Sequence, residues 1–290
     1  MRNTKDFKEY RLLDASDGER LEDWGGYILI RPDPQAIWKT ERKHPLWNKA
    51  DARYSRSSSG GGHWEYRKKL PDAWTVGYKD LTFNIKPMGF KHTGLFPEQA
   101  VNWDYVRELI PQDNSSDFKI LNLFAYTGGA TVSALKGGAS VTHVDASKGM
   151  VAWAKENAAS SGVIDRKVRW IVDDCMKFVK REIRRGNHYN GIILDPPSYG
   201  RGPGGEVWRL EDELYGFMTD CAELLDKNSS FVMINSYTTG LSASVMEYIL
   251  KTTVRDKFGG TVFSDEIGIP VENTDLVLPC GATSIWLNKK

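Results

Sequence analysis

The 290-residue chain has little cysteine: Cys175, Cys221 and Cys280 are its only three, an odd number at wide spacing. Without a CxxC pair or a Cys/His cluster, neither a disulfide framework nor a structural zinc site is expected, and no metal is indicated. No apolar run approaches the roughly 18–20 residues that a membrane-spanning helix needs. The opening residues, MRNTKDFKEYRLL, are charged from the second position and carry no apolar signal core, so a cytoplasmic protein is expected. GxGxxG is missing, which disfavours a loop gripping the pyrophosphate of a dinucleotide. Internal repeats are missing too, and with them the solenoid architectures. With 40% hydrophobic and 27% charged residues, the composition is that of a globular chain long enough for one large domain or two ordinary ones.

Charge is present in near balance, a net +1, but unevenly spread. Residues 1–92 carry 18 Lys/Arg against 13 Asp/Glu, and the remainder carries 21 against 25. Within the basic part, Arg42, Lys43, Lys49, Arg53, Arg56, Arg67, Lys68 and Lys69 are interleaved with Trp38, Trp47, Tyr54, Trp64 and Tyr66. Cations for phosphates beside rings for base stacking would make an RNA surface. Equally, the tryptophans would make the core of a small β domain and the charges its solvated face. Both readings stand at this point. The run Ser57–Gly62 is too polar to pack and reads as a loop or linker.

Short strands and turns fill the first 90 residues; Gly25-Gly26, Tyr27–Ile30 and Pro32 are one strand between breakers. From Pro97 the pattern changes. A helix is expected over Pro97–Leu109, with proline in its first turn. Apolar strands follow at Lys119–Phe124, Val141–Asp145, Val168–Val172, Gly191–Asp195 and Ser230–Asn235, with helical stretches between them, including Ser147–Ser161 and Glu206–Leu225. Continuous apolar runs of this length suit parallel strands buried on both faces. Such a sheet binds ligands beyond the carboxyl ends of its strands.

The chemistry-bearing residues stand at those ends. The first strand runs into Phe124-Ala125-Tyr126-Thr127-Gly128-Gly129, a turn where glycine lets a ligand approach the backbone, or simply a tight turn. The second ends in Asp145-Ala146-Ser147, an acid about twenty residues on, placed to hold ribose hydroxyls or to cap the next helix. The third ends in Asp173-Asp174-Cys175, offering an acceptor for an adenine amino group or another cap. The fourth ends in Asp195-Pro196-Pro197-Ser198-Tyr199. Two prolines fix a rigid extended backbone whose carbonyls accept hydrogen bonds, beside a carboxylate and a ring face; this suits a planar, amine-bearing substrate.

NLFAYTGG, VDAS, DDC and DPPSY at these spacings resemble class I methyltransferases related to the bacterial large-subunit ribosomal RNA cytosine-5 methyltransferases. Lys91–Gln99 (KHTGLFPEQ) resembles that family's segment preceding the catalytic sheet, and the likeness runs from about Lys86 to Trp286. It implies an α/β fold: a seven-stranded, doubly wound, Rossmann-like methyltransferase sheet with its last strand antiparallel. A small β-rich domain over residues 1–90 would precede the catalytic domain over 91–290. It further implies S-adenosylmethionine as cofactor, enclosed by Thr93, Phe96 and Gln99. Phe124, Ala125, Tyr126, Thr127 and Gly128 would face its methionine part, Asp145 and Ala146 its ribose, Asp174 and Cys175 its adenine. Asp195, Pro196, Pro197 and Tyr199 would form the methyl-transfer site.

One departure changes the expected chemistry. Cytosine-5 members carry a nucleophilic cysteine just after the fifth strand, where this chain reads Ile234-Asn235-Ser236-Tyr237-Thr238. A serine with no base beside it in sequence is a poor nucleophile for a pyrimidine carbon. Of the three cysteines, only Cys280 is placed to approach the site. The expectation is direct methyl transfer to a nitrogen of an RNA base, ribosomal RNA being the natural example. An NAD-linked oxidoreductase and a catalytically silent RNA-binding protein remain as alternatives.

Overall fold

Strands made of continuous β-branched and aliphatic residues must be covered on both faces, and the chain does this in a computed structural model that describes residues 1–4, 6–57, 61–112, 117–201, 207–238 and 241–288. It divides into two compact units: Met1–Val101 with Gly268–Cys280, and Asn102–Ile267 with Gly281–Lys290.

In the N-terminal unit, β1 (Tyr10–Ser16), β2 (Glu19–Trp24), β3 (Tyr27–Pro32), β4 (Ala52–Arg56) and β5 (Gly62–Tyr66) form one sheet in that order. Only the β3–β4 pair is parallel. A separate hairpin joins β6 (Trp74–Tyr78) and β7 (Leu81–Ile85). Leu13, Leu21, Ile30, Trp47 and Ala50 make a core cluster. The indole N–H groups are used internally: Trp38 donates to Ala15 O at 2.7 Å, Trp47 to Asp14 Oδ2 at 2.7 Å and Trp64 to Met88 O at 2.8 Å. Of the five rings offered for base stacking, Tyr66 alone is largely exposed. The tryptophans therefore serve the unit's own packing. Glu22 is fully buried, and Arg31 grips it with two hydrogen bonds, of 2.6 and 2.7 Å. Burial pushes the Glu22 carboxyl up, but Arg20 and Arg31 outweigh it and hold the group at about 2.

The second unit carries β8 (Lys119–Leu123), β9 (Ser140–Asp145), β10 (Val168–Val172), β11 (Gly191–Leu194) and β14 (Phe231–Ser236). The final hairpin adds β15 (Thr261–Pro270) and β16 (Val277–Leu287), and β12 (Tyr199–Arg201) with β13 (Val207–Arg209) form a small ribbon. The seven-stranded sheet runs β10-β9-β8-β11-β14-β16-β15. Every pair from β10 to β14 is parallel, and β16 is antiparallel to β14. Strand order reverses beside β8, so the crevice beyond the ends of β8 and β11 is the ligand position of such a sheet.

Helices connect the strands: α1 (Ala100–Leu109), α2 (Gly129–Lys136), α3 (Lys148–Ser160), α4 (Cys175–Arg184), α5 (Leu210–Ala222) and α6 (Ala243–Leu250), the last continued by Lys251–Arg255 and the short α7 (Asp256–Phe258). Leu121 and Leu123 face a core that includes Phe178 of α4, Phe217 of α5 and Met246 of α6. Asn122, between them, must face the other way, and there its side chain donates to Thr131 of α2 at 2.9 Å. Both faces are thus covered. The helix expected over Glu206–Leu225 begins later, at Leu210, because Val207–Arg209 pairs with Tyr199–Arg201 instead. Among the described residues no helix is long and apolar enough to cross a membrane.

Candidate functional site

The end of β8 is shaped by its backbone. Phe124 and Tyr126 adopt left-handed φ values of 53° and 50°, and Gly128, at 81°, caps α2. A side chain at Gly128 would bring its Cβ to 2.8 Å from Ala154 Cβ, and one at Gly129 to 2.7 Å from the Trp103 ring. Gly128 is therefore demanded by conformation and by space, and Gly129 by space. The Phe124 ring packs inward against Trp208 and Phe217, at centroid separations of 5.2 and 5.7 Å. Ala125 is buried, Tyr126 half-buried, and Thr127 buried with its carbonyl accepting from Asn157 Nδ2 at 2.8 Å.

Asp145 ends β9 and reaches across to this turn. Its Oδ2 accepts from Tyr126 N and its Oδ1 from Ser147 N, each at 2.8 Å. Burial raises its pKa, partly offset by these two backbone hydrogen bonds. Capping of α3 falls to Ser147, whose hydroxyl accepts from Met150 N at 3.4 Å. Each carboxylate oxygen has a second lone pair, so the pair of oxygens suits a diol. Ala146 is exposed beside it.

Beyond β10, Asp174 is the cap of α4, its Oδ1 accepting from Lys177 N at 2.9 Å, and Asp173 is ion-paired with Arg181. The cap reading of Asp174 thus holds, and a ligand there would share the carboxylate with the helix. Cys175 differs from expectation. Its sulfur lies in the core, 3% exposed as a residue, and accepts from Phe124 N at 3.3 Å. A side chain so placed braces the turn from beneath.

After β11 the backbone of Asp195–Tyr199 runs outward: Asp195 is half-buried, Pro196 buried, Pro197 and Tyr199 exposed. Trp208 Nε1 donates to Pro197 O at 2.6 Å, and Ser198 Oγ lies 2.5 Å from Thr238 Oγ1. The Pro197 carbonyl, expected to hold a substrate amino group, is therefore already engaged in holding the ribbon, and Pro196 remains the better acceptor. Trp208 escaped the sequence reading because it stands in a stretch that scans as helix. Another missed feature is the buried triangle of Asn102, Asn235 and Thr283, linked by hydrogen bonds of 3.0, 2.9 and 2.7 Å. Asn235 precedes Ser236, which is itself buried, and the Ser236 hydroxyl accepts from Thr238 N at 3.1 Å.

Thr93, Phe96 and Gln99 belong to the N-terminal unit. Thr93 is fully buried, and its hydroxyl has no hydrogen-bond partner among the described residues. Phe96 is half-buried, and Gln99 is buried in the turn that leads into α1. Cys280 lies in the same unit, buried, its thiol pushed up chiefly by burial and also by Glu98. Cys175 and Cys221 are buried as well, and burial raises both thiols, with Asp220 adding to the effect on Cys221.

A glycine turn, a half-buried acid fastened to it and a half-buried acid after the next strand are groups that an adenosyl ligand with a charged tail would use. Comparison with known proteins agrees. A family described as S-adenosylmethionine-dependent methyltransferase matches residues 43–273. The SAM-dependent methyltransferase structure from Agrobacterium tumefaciens is 35% identical, with a TM-score of 0.92 over 99% of this chain and 93% of that one. Ribosomal RNA large subunit methyltransferase K/L of Shewanella frigidimarina is 33% identical over 156 residues, 53% of this chain and 21% of that protein. The protein of the same name from Colwellia psychrerythraea is 26% identical over 228 residues, 75% of this chain and 28% of its own length. The chain thus spans about a quarter of the length of those relatives. With the family matched over most of its length, this chain belongs to the S-adenosylmethionine-dependent methyltransferases.

Proposed function

We propose that the enzyme methylates a ring or exocyclic nitrogen of a base in RNA, with ribosomal RNA as the substrate class. The observation that carries this reading is the Asp195–Tyr199 turn: a carboxylate, a rigid proline backbone and an exposed ring at the end of β11. The curated relatives named for ribosomal RNA methylation support the choice of acceptor. The state of the cysteines supports nitrogen over carbon. Carbon methylation of a pyrimidine needs a thiolate to add to the ring, and burial disfavours the thiolate of all three. Ser236 is enclosed and spends its hydroxyl on the local turn.

When bound, the cofactor supplies an electrophilic sulfonium methyl group. Asp145 would hold its ribose hydroxyls, Asp174 its adenine amino group, and the Phe124–Gly128 turn its methionine part; Thr93, Phe96 and Gln99 are proposed as further contacts. Asp195 and Pro196 O would accept from a substrate amino group and aim its lone pair, while Tyr199 stacks on the base. As the nitrogen–carbon bond forms and the carbon–sulfur bond breaks, the proton shed by the nitrogen passes to Asp195. Catalysis of this kind is largely positioning. Mass spectrometry of RNA nucleosides from cells with and without the gene tests the reading. Loss of one N-methylated nucleoside in the knockout is expected, and an unchanged nucleoside profile would contradict it. An unchanged profile together with RNA binding by the purified protein would favour a silent RNA-binding protein.

A further inference from the structure

Outside the catalytic unit, three guanidinium groups of the N-terminal unit line one cavity of about 450 Å³: Arg42, Arg53 and Arg56, with Asp17 and Glu19 in its wall. The sheet builds it. Glu19 opens β2, Arg53 and Arg56 lie on β4, and Arg42 comes from the segment between β3 and β4.

Two of the guanidiniums are held in place before any ligand arrives. Glu19 gives one oxygen to Arg42, at 2.8 Å, and the other to Arg53, at 2.6 Å. Arg42 also donates to Ser16 O at 3.0 Å and lies 4.2 Å from the centre of the Trp47 ring. Five N–H donors per guanidinium exceed what these acceptors use. Arg53 Nε is buried and has no hydrogen-bond partner among the described residues. Arg56 has no carboxylate partner among them, and Asp17 is drawn by Lys39 at 3.5 Å. Two of the three guanidiniums thus share Glu19, and the second acid of the wall, Asp17, is paired with Lys39.

The field of the arginines reaches Lys91 and His92. Lys91 is lowered to about 8, first by burial and then by Arg20, with Asp33 opposing and Arg56 and Arg31 adding to the effect. His92 is lowered to about 3 by burial, with Arg31, Lys91 and Arg20 adding to it. Arg53 Nε and the exposed Arg56 thus keep donors that no acid among the described residues takes up. Oxygens of a phosphate match both deficits, since guanidinium forks fit tetrahedral oxyanions through paired hydrogen bonds.

We propose that the Arg42–Arg53–Arg56 cavity is a phosphate-binding pocket that takes one phosphodiester of the RNA substrate; it rests on the RNA reading given above. Arg53 and Arg42 form a preset cradle, and Arg56 closes on the phosphate from the end of β4. The lysines of the neighbouring stretch are not equivalent, since Lys68 is paired with Asp51 at 2.7 Å.

The test uses the full chain, a mixed-sequence RNA oligonucleotide and inorganic phosphate. Arg56→Ala removes a side chain with no ion pair of its own, so folding is expected to survive, and a circular dichroism melt checks it. RNA affinity should fall about five- to tenfold, and the slope of log K against log salt should become shallower by about one. Arg56→Lys should recover the slope but only part of the affinity. Inorganic phosphate should shift the Arg53 Nε–H resonance in the wild-type protein, and RNA should abolish that shift. If wild type binds RNA with the same affinity and slope as Arg56→Ala, the pocket is not used and the proposal is overturned while the RNA reading survives. Should phosphate shift the resonance in a protein that binds no RNA, the RNA reading itself fails and takes the proposal with it.

Discussion

Tyr126 N donates to Asp145 Oδ2 at 2.8 Å, so the turn after β8 and the acid ending β9 are fastened to each other before any ligand is present. The left-handed φ of Tyr126, 50°, aims its N–H at the carboxylate. An acid held in this way keeps its second lone pairs in a fixed direction, which is what recognition of a ribose diol requires.

Asp145→Ala should therefore weaken cofactor binding by removing charge-assisted hydrogen bonds worth about 1.5–3 kcal/mol, roughly a ten- to hundredfold rise in Kd. Titration calorimetry measures it directly. Asp145→Asn is the sharper variant, because one amide NH₂ would face either Tyr126 N or Ser147 N. Unchanged affinity in a folded Asp145→Ala protein would remove the ribose assignment.

Trp208→Phe should separate turnover from cofactor binding. The ring contact with Phe124 is kept, while the 2.6 Å hydrogen bond to Pro197 O is lost. With the Asp195–Tyr199 turn no longer tied to the ribbon, kcat should drop by about tenfold, the scale of a small misplacement of reacting groups. Cofactor Kd should stay near wild type. Equal loss in both constants would mean that Trp208 serves the fold as a whole.

Acid should destabilise the protein through His143. This residue is buried, Nδ1 lies 2.9 Å from Thr131 Oγ1, Nε2 has no partner among the described residues, and burial lowers its pKa to about 3. The unfolded chain binds a proton near pH 6.5, which the folded chain refuses until about pH 3. Stability is present above pH 6.5 and lost as pH falls through that window, by about 1.4 kcal/mol per pH unit at most from this group. Urea unfolding at several pH values should show a shallower acid slope for His143→Gln. Identical slopes would place the acid sensitivity elsewhere.

Replacing Cys175, Cys221 and Cys280 one at a time by Ser or Ala should leave turnover within a few-fold of wild type wherever the variant folds. Burial disfavours each thiolate, and none has the electropositive, accessible setting of a reactive cysteine. Cys175 carries a structural risk, since its sulfur accepts from Phe124 N. A covalent adduct trapped with RNA containing 5-fluorocytosine would overturn the nitrogen assignment.

The catalytic sheet was legible because buried parallel strands write themselves as short apolar runs, and β8, β9, β10, β11 and β14 each fall within a residue of the expected spans. Asp145 was legible too, since its position at a strand end follows from the same runs. Cys175 was not. In sequence it adjoins Asp174, but the first residue of a helix can turn its side chain under the turn, and here the sulfur meets Phe124 N. Val207–Arg209 also escaped, because three residues of strand before a helix carry no period of their own; pairing with Tyr199–Arg201 decides the matter. The tryptophans of the N-terminal unit supported two readings, and only their hydrogen bonds to Ala15, Asp14 and Met88 choose the structural one.

The central claim is methyl transfer to a base nitrogen directed by Asp195. The most direct measurement incubates the purified chain with methyl-labelled S-adenosylmethionine and unmodified ribosomal RNA, then resolves the labelled nucleosides after complete digestion. Label is predicted in a single N-methylated nucleoside, reduced by a hundredfold or more, on the order expected for a lost transition-state contact, in Asp195→Ala that still binds cofactor. Label in a carbon-methylated pyrimidine, or full transfer by Asp195→Ala, would contradict it.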